Sequence, residues 1–161
     1  MRLAVALLIG AGLTPAVSGQ PGRPPPPAQR QQAAPANVPV PDRLAALKLL
    51  WSTMAAVDHA NRTGNYTVLR DLGTRGFQAN NDSARLASIF SVLRTQRIDL
   101  SDTLLVTPVW EIAPRMVSPT VLRMRGTFQL RPQAIAFDLL FAWDQGWRLD
   151  AVAVQAMPEA R

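Results

Sequence analysis

The chain contains no cysteine. That excludes a disulfide scaffold, a thiolate metal site, a cysteine nucleophile and a lipid-modified cysteine. Histidine occurs once, at His59, so no multi-histidine metal site or relay can be assembled. Lys48 is the one lysine, and the basic side is carried by arginine, which keeps its proton at any ordinary pH. Tyr66 is the one tyrosine. Serine, threonine and glycine form neither a nucleophile elbow nor a phosphate-cradling loop. Beyond the N-terminus every apolar run soon meets a charge or a proline, so no later segment reads as a membrane span.

What is present fits one domain of ordinary size: 161 residues, 48% of them hydrophobic. Of the 17 basic residues, Arg2, Arg23 and Arg30 precede the expected domain, which leaves 14 against 11 acidic ones. The arginines are scattered rather than clustered with aromatics, so nucleic acid is not an expected partner. Met1-Arg2, the apolar run Leu3 to Leu13 and the small residues around Ala16-Val17-Ser18 have the layout of a cleaved signal peptide. An uncut span needs about 20 apolar residues, and this run is much shorter. The expectation is therefore a periplasmic or secreted protein with no stable membrane span after cleavage. Gln20 to Val40 is rich in proline and holds no large apolar anchor, which predicts a disordered polyproline-type linker. The layout is thus signal peptide 1–19, linker 20–40 and folded domain 41–158.

Asp42 reads as the N-cap of a helix to about Arg62, with Leu44, Leu47, Leu50, Trp51 and Met54 at helical spacing. Asn65 to Leu72 reads as a second helix stopped by Gly73, and Asp82 or Ser83 caps a third through Arg94. Thr74 to Asn81 between them reads as irregular, with Phe77 as an anchor. Asn61-Arg62-Thr63 matches a glycosylation sequon, a pattern that arises readily by chance. After Ile98 the period changes to strands: Leu104 to Ile112, Thr120 to Leu130, Gln133 to Trp143 and Trp147 to Gln155. Their turns fall at Pro114 to Pro119, Arg131-Pro132 and Asp144-Gln145-Gly146.

Connections this short make the strands antiparallel neighbours. Pairing Phe128 with Ile135 and Trp143 with Trp147 puts Leu122, Met124, Phe137, Leu139, Phe141 and Leu149 on one face, where the helices should sit. Arg123, Arg125, Asp138, Leu140, Asp150 and Val152 fall on the other, with Arg125 directly across from Asp138. A half-apolar open face of this kind suits a partner, and these six residues are the candidate homodimer surface. The expected fold class is α+β: three N-terminal helices on a curved antiparallel sheet of about four strands.

Two stretches resemble a known family. Ala60-Asn61-Arg62-Thr63-Gly64-Asn65-Tyr66 is similar to the first helical turn of the nuclear transport factor 2-like superfamily. Phe137 to Leu149, a strand, a glycine turn and a tryptophan strand, is similar to its closing hairpin. The resemblance covers about Pro41 to Met157. It implies a cone-shaped, cystatin-like fold, a frequent habit of dimerising through the open sheet, and relatives that range from ketosteroid isomerase-like and polyketide cyclase-like enzymes to ligand binders and assembly modules. The isomerase type would need a base and an oxyanion donor inside the cone. The inner sheet face carries no carboxylate, so no catalytic residue transfers.

A small apolar ligand is the other candidate partner. Trp51, Met54, Phe90 and Trp110, with Phe137 and Phe141 from the sheet, are the aromatic and apolar lining such a ligand would use. His59 and Tyr66 are the polar groups that would join them. Ordinary core and hairpin packing, with His59 at an exposed helix end, is the preferred account of the same residues. No metal or cofactor is expected. The function this implies is an exported, non-catalytic interaction or ligand-binding module, with an isomerase-type enzyme as the alternative.

Overall fold

The computed structural model describes residues 38–157. The expected signal peptide, all but the last three residues of the linker, and residue 158 lie outside the described residues. The fold is α+β: helices first, then a four-stranded antiparallel open sheet.

Helix α1 spans Arg43–Thr63. Asp42 caps it by accepting from the Ala45 N–H at 2.7 Å. Gly64 ends it in the left-handed region (φ 74), where its N–H reaches the Ala60 carbonyl. Ala46, Leu50, Met54 and Val57 form its buried stripe, while Leu44 stays exposed. Helix α2 is Thr67–Asp71, and α3 is Arg75–Asn80. The irregular reading of Thr74 to Asn81 is corrected by α3. Thr74 accepts from the Phe77 N–H at its start, the Asn81 amide donates to the Phe77 carbonyl at its end, and Phe77 is buried between them.

The single third helix is also corrected. It divides at Phe90 into α4, Ser83–Ile89, and α5, Ser91–Thr95. Phe90 leaves helical geometry (φ −94, ψ 12), and its ring lies parallel to Tyr66 with centroids 6.2 Å apart. A 3₁₀ turn at Ser101–Leu104 follows.

Strand β1 is Val109–Ser118, so it starts later than expected and runs on through Pro114. Pro114 is tolerated because β1 pairs only with β2 and is an edge strand. Its pairing is interrupted by register shifts between Trp110 and Ile112 and between Ile112 and Arg115. The turn shrinks to Pro119 and Thr120. Strands β2, Val121–Phe128, β3, Ile135–Trp143, and β4, Trp147–Ala156, complete the order β1-β2-β3-β4.

The β2–β3 register is the expected one: Phe128 opposes Ile135, Met124 opposes Leu139 and Arg125 opposes Asp138. In β3–β4 the expected pairing holds from Trp143–Trp147 to Phe141–Leu149 and then shifts. Asp150 is the extra residue of a β-bulge, so Leu139 meets Val152 rather than Ala151, and Phe137 meets Val154 rather than Ala153. Val152 and Val154 therefore turn to the helical side: Val154 is buried and Val152 packs against the core. This overturns the placing of Val152 on the open face.

The core joins the helices to one sheet face. Leu50, Met54, Tyr66, Leu69, Leu86 and Phe90 meet Leu122, Met124, Phe128, Phe137, Leu139 and Phe141. A second tie runs along β4: the Leu149 N–H donates to the Leu72 carbonyl, and the Thr74 N–H donates to the Leu149 carbonyl.

Candidate functional site

Two places combine polar chemistry with accessible surface. The first lies on the helical side, where the end of α1 meets the segment after α5. Asp58 is a buried carboxylate on α1. One turn on, the Arg62 Nε lies 2.9 Å from its Oδ2, and the Leu100 N–H donates to its Oδ1 at 3.3 Å. Arg62 also holds Asp99 at 2.8 Å. That pair joins residues 37 apart in sequence and fastens α1 to the chain that leads into the sheet. Asp99 accepts further from the Ser101 hydroxyl at 2.6 Å and N–H at 2.9 Å. These Ser101 donors, and then Arg62, hold the Asp99 carboxyl below the ordinary aspartate range.

The folded state favours the ionised form, so the contribution is present above the unfolded-state value. It fades as pH falls through the depressed one. Asp99 is exposed, so the contribution is small. A ¹³C-carboxyl titration should place the Asp99 midpoint below that of an ordinary aspartate. Ser101→Ala should move its midpoint upward. An unchanged midpoint in that variant would remove the serine as the cause.

Beside this network, Tyr66 is fully buried and its hydroxyl is used twice. It donates to the Asn61 Oδ1 at 2.7 Å and accepts from the Arg94 Nη1 at 2.6 Å. The Arg94 guanidinium carbon also lies 5.7 Å from the Tyr66 ring centroid, within cation–π range. Asn61, Arg62, Leu93, Arg94, Arg97, Ile98 and Asp99 line an open depression of about 300 Å³.

The second place is the open sheet face. The register sets rows across it: Arg115, Arg123, Leu140 and Ala151 in one, and Ile112, Arg125, Asp138 and Ala153 in the next. Arg123 grips Asp138 through Nε, 3.0 Å from Oδ1, and through Nη2 to Oδ2. That grip raises the Arg123 pKa further, so the residue stays charged. Arg125 binds Glu111 at 2.7 Å and stands 3.9 Å from Asp138. Asp138 therefore belongs mainly to Arg123, its diagonal neighbour, rather than to Arg125 opposite. Asp150, on the bulge at the rim of this face, accepts from the Thr74 hydroxyl at 2.8 Å instead of meeting Arg123. Val121, Ala136, Leu140 and Ala142 are half-buried between these charges.

The residues expected to line an apolar pocket divide. Met54, Tyr66, Phe90, Phe137 and Phe141 are buried in the packed core. Trp110 packs edge-on against Phe137 at 5.7 Å, and Trp51 is half-buried with no partner for its indole N–H. His59 is exposed on α1 and is not among the hydrogen-bond partners of Tyr66. Asp58 and Tyr66, the buried carboxylate and the buried hydroxyl, do not share a partner.

Among the described residues no three of histidine, aspartate and glutamate converge as a metal would require, and no helix is long and apolar enough to cross a membrane. The roles of Asn61, Arg94, Arg97 and Asp99 had no signal in the sequence. Arg94, Arg97 and Asp99 follow one another at and just after the end of α5, and only folding brings Asn61 of α1 to them. Comparison of the chain with protein-family models, curated protein sequences and solved structures finds no match.

Proposed function

We propose that this is an exported, non-catalytic interaction domain that pairs with a second copy of itself through the open sheet face, on a proline-rich tether. The family resemblance belongs to the same proposal: helices ahead of a four-stranded antiparallel meander suit a nuclear transport factor 2-like cone. Export rests on the layout of residues 1–19 alone.

The open face itself carries the reading. Its centre is small and apolar, at Leu140, Ala142 and Ala151, and its charges are of both signs. A surface that must meet its own copy across a two-fold axis needs both properties, because each residue faces the same patch rotated. Arg123 and Asp138 are already oriented in pairs, so little side-chain freedom is lost on contact.

The non-catalytic part is supported by how the buried acid and hydroxyl are used. An isomerase-type site asks for a free base beside an oxyanion donor. Here the Asp58 oxygens accept from Arg62 and the Leu100 N–H, while the Tyr66 hydroxyl is taken by Asn61 and Arg94.

Sedimentation velocity over a dilution series tests the pairing. The wild-type chain should move from dimer to monomer, and Leu140→Arg should be monomeric throughout with an unchanged circular dichroism spectrum. A wild-type chain that stays monomeric at every concentration would sink the proposal.

A further inference from the structure

We infer that the depression between the end of α1 and the end of α5 is a binding site for a small organic carboxylate with an apolar body. Three observations lead there. The first is how the charges are committed. Both carboxylates near the site, Asp58 and Asp99, are held by Arg62, and Asp99 is further occupied by Ser101. Arg94 and Arg97 line the same depression, and among the described residues neither has a carboxylate within ion-pair distance. Two guanidinium groups thus bring donors without an acid partner to one concavity, and the planar guanidinium fork matches a carboxylate.

The second is an orphaned donor. Asn61 Nδ2 is buried and makes no hydrogen bond. The Tyr66 hydroxyl, itself held by Arg94, donates to Asn61 Oδ1 and so fixes which end of the amide is left over. A buried N–H without a partner is unfavourable, and native structures seldom keep one without reason. Asn61 itself lines the depression, so a turn of its side chain would bring that N–H to a carboxylate oxygen held by Arg94.

The third is the wall. Leu93 and Ile98 add apolar surface, and a space of about 300 Å³ is more than a bare inorganic anion fills. Arg97 adopts a left-handed backbone (φ 53) as it closes α5, and the reversal sets Arg97, Ile98 and Asp99 along one side of the depression. The site is on the helical side, built from elements other than the open sheet face, so it can act in a monomer or a dimer.

Calorimetric titration of the full-length chain with sodium benzoate, benzyl alcohol and sodium phosphate tests this, with the Asn61 side-chain amide followed by ¹⁵N NMR. Benzoate should bind saturably at one site and shift the Asn61 resonance. The uncharged alcohol loses a charge-assisted hydrogen bond and the bare phosphate loses the apolar contact with Leu93 and Ile98, so each should bind roughly tenfold or more weakly. Arg94→Lys should weaken benzoate to a similar degree, because it keeps the charge and loses the fork. Arg97→Gln should do the same without touching the Tyr66 network, so a loss there cannot be laid to misfolding. Arg75→Gln, on α3, should leave benzoate binding unchanged. No saturable benzoate binding, equal binding of the alcohol or of phosphate, or full affinity in Arg97→Gln would each overturn the site.

Discussion

Gly126→Ala is expected to destabilise the domain by about 2 kcal/mol or more, while Gly76→Ala is expected to be neutral or to stabilise it by up to ~1 kcal/mol. The substitution is the same and the surroundings are opposite. Gly126 sits inside β2, across from Trp110 on one side and Phe137 on the other. A Cβ there would overlap the Val109 carbonyl oxygen, with the Phe137 ring at 3.1 Å and the Trp110 Cα at 3.2 Å. Two of these three neighbours are backbone, which cannot turn aside as a flexible side chain can.

The missing side chain is what lets β1 come in over β2 at the point where its register slips. Trp110 then reaches the Phe137 ring, which in turn lies 5.2 Å from Phe128. Pushing β1 outward would loosen that aromatic row as well as the ladder. Gly76, by contrast, lies in α3, and its nearest obstacle is the Thr74 hydroxyl at 3.8 Å. There alanine mainly removes freedom from the unfolded chain. Urea denaturation should show the Gly126→Ala midpoint falling and the Gly76→Ala midpoint staying or rising. A Gly126→Ala midpoint equal to wild type would mean that β1 does not approach as described.

The second large effect separates two adjacent residues of β4. Val154→Asn should cost about 3 kcal/mol, and Ala153→Asn should stay within about 0.5 kcal/mol. Val154 is 9% exposed and faces Phe137 inside the core, whereas Ala153 is exposed and faces Asp138. An asparagine at 154 loses apolar burial and leaves an amide among groups that cannot pair with it. At 153 the same amide is in water. An unbroken alternation from Trp147 would reverse the order, because it places Ala153 inward and Val154 outward. Denaturation midpoints for the two variants therefore test the Asp150 bulge directly. Equal losses, or a larger loss at 153, would contradict it.

That bulge shows where reading the sequence stops. The hydrophobic alternation of β3 and the short turn before β4 suffice for the Trp143–Trp147 and Phe141–Leu149 pairs. Nothing in Leu149-Asp150-Ala151-Val152-Ala153-Val154 says that one residue will be skipped, since alanine and valine suit either face. The skip is decided by the loop at Leu72 to Thr74, which takes the Leu149 backbone and the Asp150 carboxylate. Pro114 gave a similar difficulty. A proline reads as a turn, yet on an edge strand its missing N–H leaves no ladder bond unmade.

The sheet-face residues were legible in part for the same reason. Arg123, Arg125, Asp138 and Leu140 follow from period-two alternation in β2 and β3, where pairing is regular. Val152 did not follow, because it lies beyond the bulge. The apolar pocket residues were legible as apolar and inward-facing, but periodicity cannot distinguish a lined cavity from a filled core. His59 and Tyr66 stand on α1 and at the start of α2, and helical spacing alone does not say which way their polar ends are drawn.

From the amino acids alone came helices followed by an antiparallel meander, the cap at Asp42, the end of the first helix near Arg62, the β2–β3 register and the exclusion of cysteine and multi-histidine chemistry. These are local properties, set by residue type, spacing and turn length over a few positions. The tertiary structure decided the bulge at Asp150, the path of β1 over Gly126, the grip of Arg62 on Asp58 and Asp99, and the meeting of Asn61, Tyr66 and Arg94. Each of these joins groups from different elements, and their geometry exists only once the core has packed and backbone and charge have found their remaining partners.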